Sequence, residues 1–240
     1  MGLRAGLARF GRKPQVREEA RETGPLRMLE NSAHEGGGFL GRVSISDLRP
    51  EFGNALTGLS PGEVSPPVRI GSEYFLFAVL TEADTNWVIL EEAGLRAAQQ
   101  GLDDEAFGNF ETALELAEEF GPQDYRLARS LANLGELHRV RGNASEAASL
   151  FRRSLPILEE LAAEQEGFRV DLAQSLNSLG LVLYSQEQYA AAEPLYQRAM
   201  AIREEIRGPE HPEVAIALNN LAELYFAENR YAEAGPLYEL

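Results

Sequence analysis

Toward the C-terminal end of the chain, apolar residues return at intervals of three and four. Leu176, Leu179 and Leu183 with the small Gly180 lie on one stripe, and after the corner Ser185–Tyr189 a second stripe follows, with Tyr189, Ala192 and Tyr196 at the positions that recur. Spacing of i, i+3, i+4 and i+7 places residues on one face of an α-helix, so the stretch predicts two helices joined by a tight turn. The same order comes back 42 residues later as Leu218, Leu221, Ala222 and Tyr225, then Tyr231, Ala234 and Tyr238. Such an internal repeat predicts two successive helix pairs. Within each pair, Gly180 or Ala222 is expected to meet Ala192 or Ala234, small against small, with Tyr196, Tyr231 and Tyr238 in the core.

Carried backwards, the pattern finds two further copies. Leu131, Leu134, Gly135, Gly142, Ala147 and Phe151 repeat it 45 residues earlier, and Gly94, Gly101, Ala106, Phe110 and Ala113 do so a further 41 residues back. Residues 86–240 thus read as four helix pairs, with Asp103 and Ala144 standing where the later copies carry Tyr189 and Tyr231. A single pair cannot bury both its faces, so stacking into an α-solenoid is the expected architecture. Because Leu240 falls within the second helix of the fourth copy, its apolar stripe is expected to be uncovered, which invites self-association or marks a fragment of a longer protein.

Upstream, the period changes. Gly36–Gly38 predict a turn ahead of a short strand FLGRVS, and SDLRPEFGNALTGL predicts a helix with Ser46 as N-cap and Pro50 in its first turn. Ser60-Pro61-Gly62-Glu63 reads as a turn, followed by strands in VSPPVRI and YFLFAVL, the latter continuously apolar. Residues 27–85 are therefore expected to form a small α+β unit, and residues 1–26 a flexible or weakly helical arm. The chain as a whole is expected to be mainly α.

Charge narrows the partners. The net charge is −16, and residues 86–240 carry 27 acidic against 12 basic side chains. Nucleic-acid binding needs basic clusters and is not expected. No apolar run approaches the roughly 18 residues of a membrane span, and the basic start lacks a signal-peptide core, so the reading is cytoplasmic. There is no cysteine, and the three histidines His34, His138 and His211 stand apart, so neither a metal nor a cofactor is expected. Gly58-Leu59-Ser60-Pro61-Gly62 matches GxSxG but follows a helix and sits on a turn, the wrong order for a hydrolase nucleophile. Gly36–Gly38 precede a strand, not a helix, and so do not form a phosphate cradle.

The repeated pattern resembles the tetratricopeptide repeat. The 42-residue spacing and the segment EPLYQRAMAIREEIRGPEHPEVAIALNNLA are similar to the kinesin-light-chain-like branch of that family. The resemblance implies that first helices line a groove for extended peptides. Counted from Gly135, Gly180 and Ala222, the groove candidates are Asn133 and Arg139, Asn177 and Tyr184, and Asn219, Asn220 and Phe226. Asparagine amides can pair both N–H and C=O of a peptide. They can equally solvate an exposed helix, and both readings stand at this point.

The segment GGGFLGRVSISDLRPEFGNALTGLSPGEVSPPVRIGSEYFLFAVL resembles the C-terminal half of a parvulin-type (PpiC-like) peptidyl-prolyl isomerase. The resemblance implies a four-stranded antiparallel sheet, of which three strands are recognised here and the first is not. It also implies a proline pocket at Leu48 and Phe52, with Phe75 on the position of an active-site histidine and Asn31 near that of a cysteine or aspartate; the catalytic residues are unknown. The sequence reading is a scaffold that binds protein or peptide clients, proline-containing ones among them. The alternatives are an active isomerase whose repeats recruit clients, and a purely structural assembly module.

Overall fold

The computed structural model describes residues 23–29, 39–44, 50–60, 63, 65, 68–70 and 73–238. The chain divides into two compact units, Met1–Glu92 and Ala93–Leu240, and the division falls inside a helix.

In the first unit, β1 (Thr23–Leu29), β2 (Phe39–Ser44), α1 (Pro50–Leu56), β3 (Val68–Ile70) and β4 (Glu73–Val79) follow one another. The strands form an antiparallel sheet in the order β2-β1-β4-β3. The expected strands at FLGRVS and YFLFAVL are present, while the one sought in VSPPVRI shrinks to Val68–Ile70, after the two prolines that withhold backbone donors. Strand β1 corrects the sequence reading. It begins at Thr23, inside the segment expected to be an arm, and adds a strand that the sequence reading did not place. It lies between β2 and β4 and pairs with both, so its hydrogen bonds come from two neighbours rather than from local propensity. The pairing with β2 is irregular between Pro25 and Arg27, next to the residue with no N–H to give.

Helix α1 starts at Pro50, the position a helix tolerates proline best. It ends where Gly58 takes a positive φ of 86°. The predicted turn is closed by the Glu63 N–H donating to the Ser60 carbonyl over 3.0 Å. The calls on Asn31, His34, Gly36–Gly38, Ser46 and Leu48 lie outside the described residues.

Helix α2 (Glu82–Gln99) opens with a reciprocal cap: the Thr81 N–H and hydroxyl both donate to Asp84 Oδ2 over 2.8 Å, and the Asp84 N–H donates back to the Thr81 hydroxyl. It is followed by α3 (Asp103–Glu118), α4 (Tyr125–Val140), α5 (Ala144–Glu164), a 3₁₀ turn (Glu166–Phe168), α6 (Arg169–Ser185), α7 (Tyr189–Arg207), α8 (Pro212–Ala227) and α9 (Tyr231–Tyr238). The residues aligned by the repeat, Asp103, Ala144, Tyr189 and Tyr231, are each the first residue of a second helix.

The four corners between paired helices share one backbone geometry. Gly101, Gly142, Glu187 and Asn229 have φ of 72°, 77°, 60° and 62°. In each corner the next residue's N–H donates to a carbonyl five positions back, as Asn143 does to His138 and Gln188 to Leu183, both over 2.9 Å. This left-handed closure satisfies helix-end carbonyls, and glycine takes it without the steric cost that Glu187 and Asn229 carry.

The helices of a pair meet through glycine and an aromatic ring, not through two small residues as the sequence suggested. A Cβ built on Gly180 would lie 2.6 Å from the Tyr196 ring, one on Gly94 2.5 Å from Phe110, and one on Gly135 3.2 Å from Phe151. In all three pairs the ring comes 16 residues after the glycine. Ala192 is fully buried but does not fill that place. The fourth pair differs: Ala222 already carries a Cβ, and its counterpart Tyr238 is 52% exposed. Tyr196 is core as expected, whereas Tyr231 and Tyr238 are exposed, a correction.

Consecutive helices from α3 to α9 pack in sequence, and α6 also touches α4 and α8, so the first helices form a row. This is why α6 is apolar on almost every side, with Leu172, Leu176, Leu179, Val182 and Leu183 buried.

Candidate functional site

The row α4, α6, α8 carries the predicted groove residues. Starting α4 requires a cap: the Asp124 carboxylate accepts the Arg126 N–H over 2.8 Å and is gripped by the same residue's guanidinium. Burial raises the Asp124 pKa, and the backbone bond pulls it back. At α8, Pro212 takes the first helical position and the His211 Nδ1 accepts from the Glu213 N–H over 3.2 Å.

Arg139, Tyr184 and Phe226 hold the same place on three successive first helices. Arg139 is half-buried and forks onto Glu136 over 2.9 and 2.6 Å. The Tyr184 ring lies 5.4 Å from that of Tyr189, and Phe226 lies 5.2 Å from Tyr231. Burial, with Glu223, Tyr189 and Tyr238 adding to it, raises the Tyr184 phenol pKa. Phe226 is 58% exposed, a large apolar ring offered to solvent on a helix that buries Leu221 and Leu224.

The asparagines part ways. Asn219 is exposed and donates to Glu223 over 2.9 Å. Asn220 donates to the Asn177 Oδ1 over 2.8 Å, which ties α8 to α6. Asn177 itself is only 5% exposed, so its amide serves the joint between repeats. Asn133 is half-buried on α4. Phe52 lies in α1, and Phe75 lies in β4 opposite Val68, whose side chain is buried.

Sequence reasoning missed the polar groups below Asn177. Gln174, one turn earlier on α6, donates to Ser178 over 3.4 Å and accepts from Arg203 of α7 over 3.1 Å. Arg203 is buried, which a charged residue on a second helix gave no reason to expect. Its i, i+7 relation to Tyr196 on the buried stripe was the available signal.

His138 is half-buried: its ring meets Phe107 edge-on at 4.9 Å, and its Nδ1 is 3.2 Å from the Asn143 amide nitrogen. Among the described residues no group of three or more His, Cys, Asp or Glu could hold a metal ion. No helix among them is long and apolar enough to cross a membrane.

Antiparallel helix pairs, stacked so that first helices share a wall, define a helical-repeat protein of the solenoid class. The tetratricopeptide repeat pattern matches residues 88–160 and 171–239, and the chain belongs to that family. No curated protein matches the sequence. Among solved structures, BtubC (BKLC) from P. vanneervenii superposes with a TM-score of 0.60 at 23% identity, over 66% of this chain and 63% of that one. A putative kinesin light chain of Podosopora anserina gives 0.54 at 21% identity, over 64% and 71%. Aspartyl phosphate phosphatase F from Bacillus subtilis gives 0.56 at 18% identity, over 67% and 40%. The chain thus spans less than two thirds of BtubC, and at these identities the likeness is one of fold.

Proposed function

We propose that residues 86–240 are a protein-interaction scaffold whose first helices hold an extended peptide segment. The observation that carries this reading is the row of Arg139, Tyr184 and Phe226 at one repeat position, ending in a ring that water covers poorly. Exposed aromatics backed by amides and a fixed guanidinium are the side chains that dominate binding surfaces. Asn219 supplies donor and acceptor beside Phe226, while Asn177 and Asn220 set the angle between α6 and α8. Clients are peptides or proteins, with aromatic or proline rings suited to Phe226. A random peptide library displayed against the chain tests this: selected peptides should lose most of their affinity on Phe226→Ala with Asn219→Ala at unchanged helicity. Equal binding to that variant would contradict the assignment.

A second reading concerns residues 27–85, with β1 now added. It is supported by the four-stranded antiparallel sheet, a feature that the parvulin resemblance implies. In this reading Leu48, Phe52 and Phe75 form a proline-binding pocket that delivers or isomerises clients held by the repeats. Rotation about an X-Pro bond faces a barrier of roughly 18–20 kcal/mol and needs no covalent step, only preference for the twisted imide. Exchange NMR on a short Xaa-Pro peptide decides it. Acceleration that Phe52→Ala removes is expected; a rate that the protein leaves unchanged would eliminate the isomerase.

A further inference from the structure

Beside the first-helix wall, the start of α6, the end of α7 and the start of α8 enclose a cleft of about 400 Å³. Val170, Ile206 and Ile216 give it apolar sides, and Arg203 and Arg207 enter it from α7. Four residues apart, the two arginines share one helix face. Arg203 is 93% buried, with a relative exposure of 7%. Its Nη2 donates to Gln174 over 3.1 Å, and its Nε stops 3.8 Å from the Glu213 carboxylate, too far for a hydrogen bond. Its Nη1 has no partner, nor has the Nε of Arg207, and both atoms are shielded from solvent. Buried donors are satisfied in the great majority of cases, so two orphans on two cations in one cleft call for an acceptor.

The charges agree. Asp171 and Glu213 also line the cleft. Burial raises the Asp171 pKa, and the charge of Arg129 on α4 pulls it back. Burial pulls the Arg203 pKa down, and the charge of Glu213 pushes it back up. A carboxylate carries two oxygens, matches two guanidinium donors and forms the stronger, charge-assisted type of bond. The isoleucines suit an aliphatic residue beside it.

We propose that this cleft takes a carboxylate borne by a bound peptide, held by Arg203 Nη1 and Arg207 Nε, with an aliphatic side chain against Ile206 and Ile216. The inference rests on the peptide-binding reading and adds a charged anchor to it, on second-helix residues outside the Arg139–Tyr184–Phe226 row. Both donors lie beneath the cleft's surface, so the carboxylate enters as a guanidinium turns toward it.

The test is titration of the isotopically labelled full chain, following the arginine Nε–Hε resonances. The probes are N-acetyl-leucine, a terminal carboxylate, N-acetyl-glutamic acid α-amide, a side-chain carboxylate, and N-acetyl-leucinamide, which has neither. Saturable shifts of Arg203 and Arg207 with either acid, and none with the amide, are expected, and the acid that acts identifies the source. Arg207→Gln should weaken binding by about tenfold, the effect of losing one charged hydrogen bond, with far-UV helicity unchanged. Arg203→Lys, which keeps the charge but loses the fork, should weaken it too. Unmoved resonances, equal shifts with the amide, or full binding by both variants would overturn the inference. If library peptides still bind the first-helix wall while the acids do not, the cleft assignment falls by itself; if neither binds, the scaffold reading falls with it.

Discussion

At the scale of single residues, the contact between paired helices is a glycine seated under a ring. Helix propensity alone makes glycine about 1 kcal/mol worse than alanine, so Gly180 is explained by space and not by local preference. With the Tyr196 ring 2.6 Å from a notional Cβ, Gly180→Ala should destabilise the chain by about 1–3 kcal/mol in urea unfolding. Gly135→Ala meets Phe151 at 3.2 Å, where a shift of a few tenths of an ångström relieves the contact, so its loss should be smaller and its sign can reverse. Equal effects at the two sites would contradict the packing described. The sequence revealed which positions were special through their repetition. It did not reveal what each glycine faced, because a period locates a stripe and leaves open which partner fills the gap. The same limit hid Arg203: a basic residue on a helix reads as solvated until its neighbours on α6 and α8 are known.

At the scale of elements, the corners and one charged cluster hold the last two pairs together. Glu187 adopts a left-handed backbone that costs an ordinary residue about 1–2 kcal/mol, so Glu187→Gly should raise the thermal midpoint; a lower midpoint would mean the Glu187 side chain makes a contact of greater value. Arg230, in the last corner, bridges Glu193 of α7 over 2.7 Å, Glu228 over 2.9 Å and Glu233 over 2.5 Å, with its guanidinium 4.1 Å from the Tyr225 ring. Tyr225 also donates to Glu193 over 2.9 Å. Arg230 holds the Glu193 and Glu233 pKa values below the ordinary carboxylate range. A lowered folded-state pKa means that their stabilisation is complete above the unfolded value and is lost as pH falls through the folded one. Hydrogen exchange in α8 and α9 should therefore rise on acidification more than in α4 and α5, and Arg230→Ala should reduce that difference; identical pH dependence in the two regions would count against the cluster. The repeat aligned Asp103, Ala144, Tyr189 and Tyr231 in the sequence, and each turns out to open a second helix, one residue before the start expected at the last two corners. Strand β1 was not. Its Thr-Gly-Pro-Leu-Arg-Met-Leu carries neither alternation nor a β-branched run, and its pairing with β2 and β4 is non-local.

For the molecule, the repeats explain how a row of neighbouring helices arises from one backbone plan. Each pair rests on its neighbours, and the first helices are left side by side in the row α4, α6, α8. Four copies share a backbone plan, while one position of the first helix changes from Arg139 to Tyr184 to Phe226, the last of them exposed; under the proposed function these are distinct places along one line. The exposed Tyr231 and Tyr238 mark where the fourth pair departs from the other three.

The most direct measurement is amide chemical-shift mapping of a library-selected peptide on the labelled protein. The account predicts that perturbations run along α4, α6 and α8, through Asn133, Tyr184, Asn219 and Phe226. Perturbations confined to α3, α5 and the outer face of α7, with that row unchanged, would contradict it.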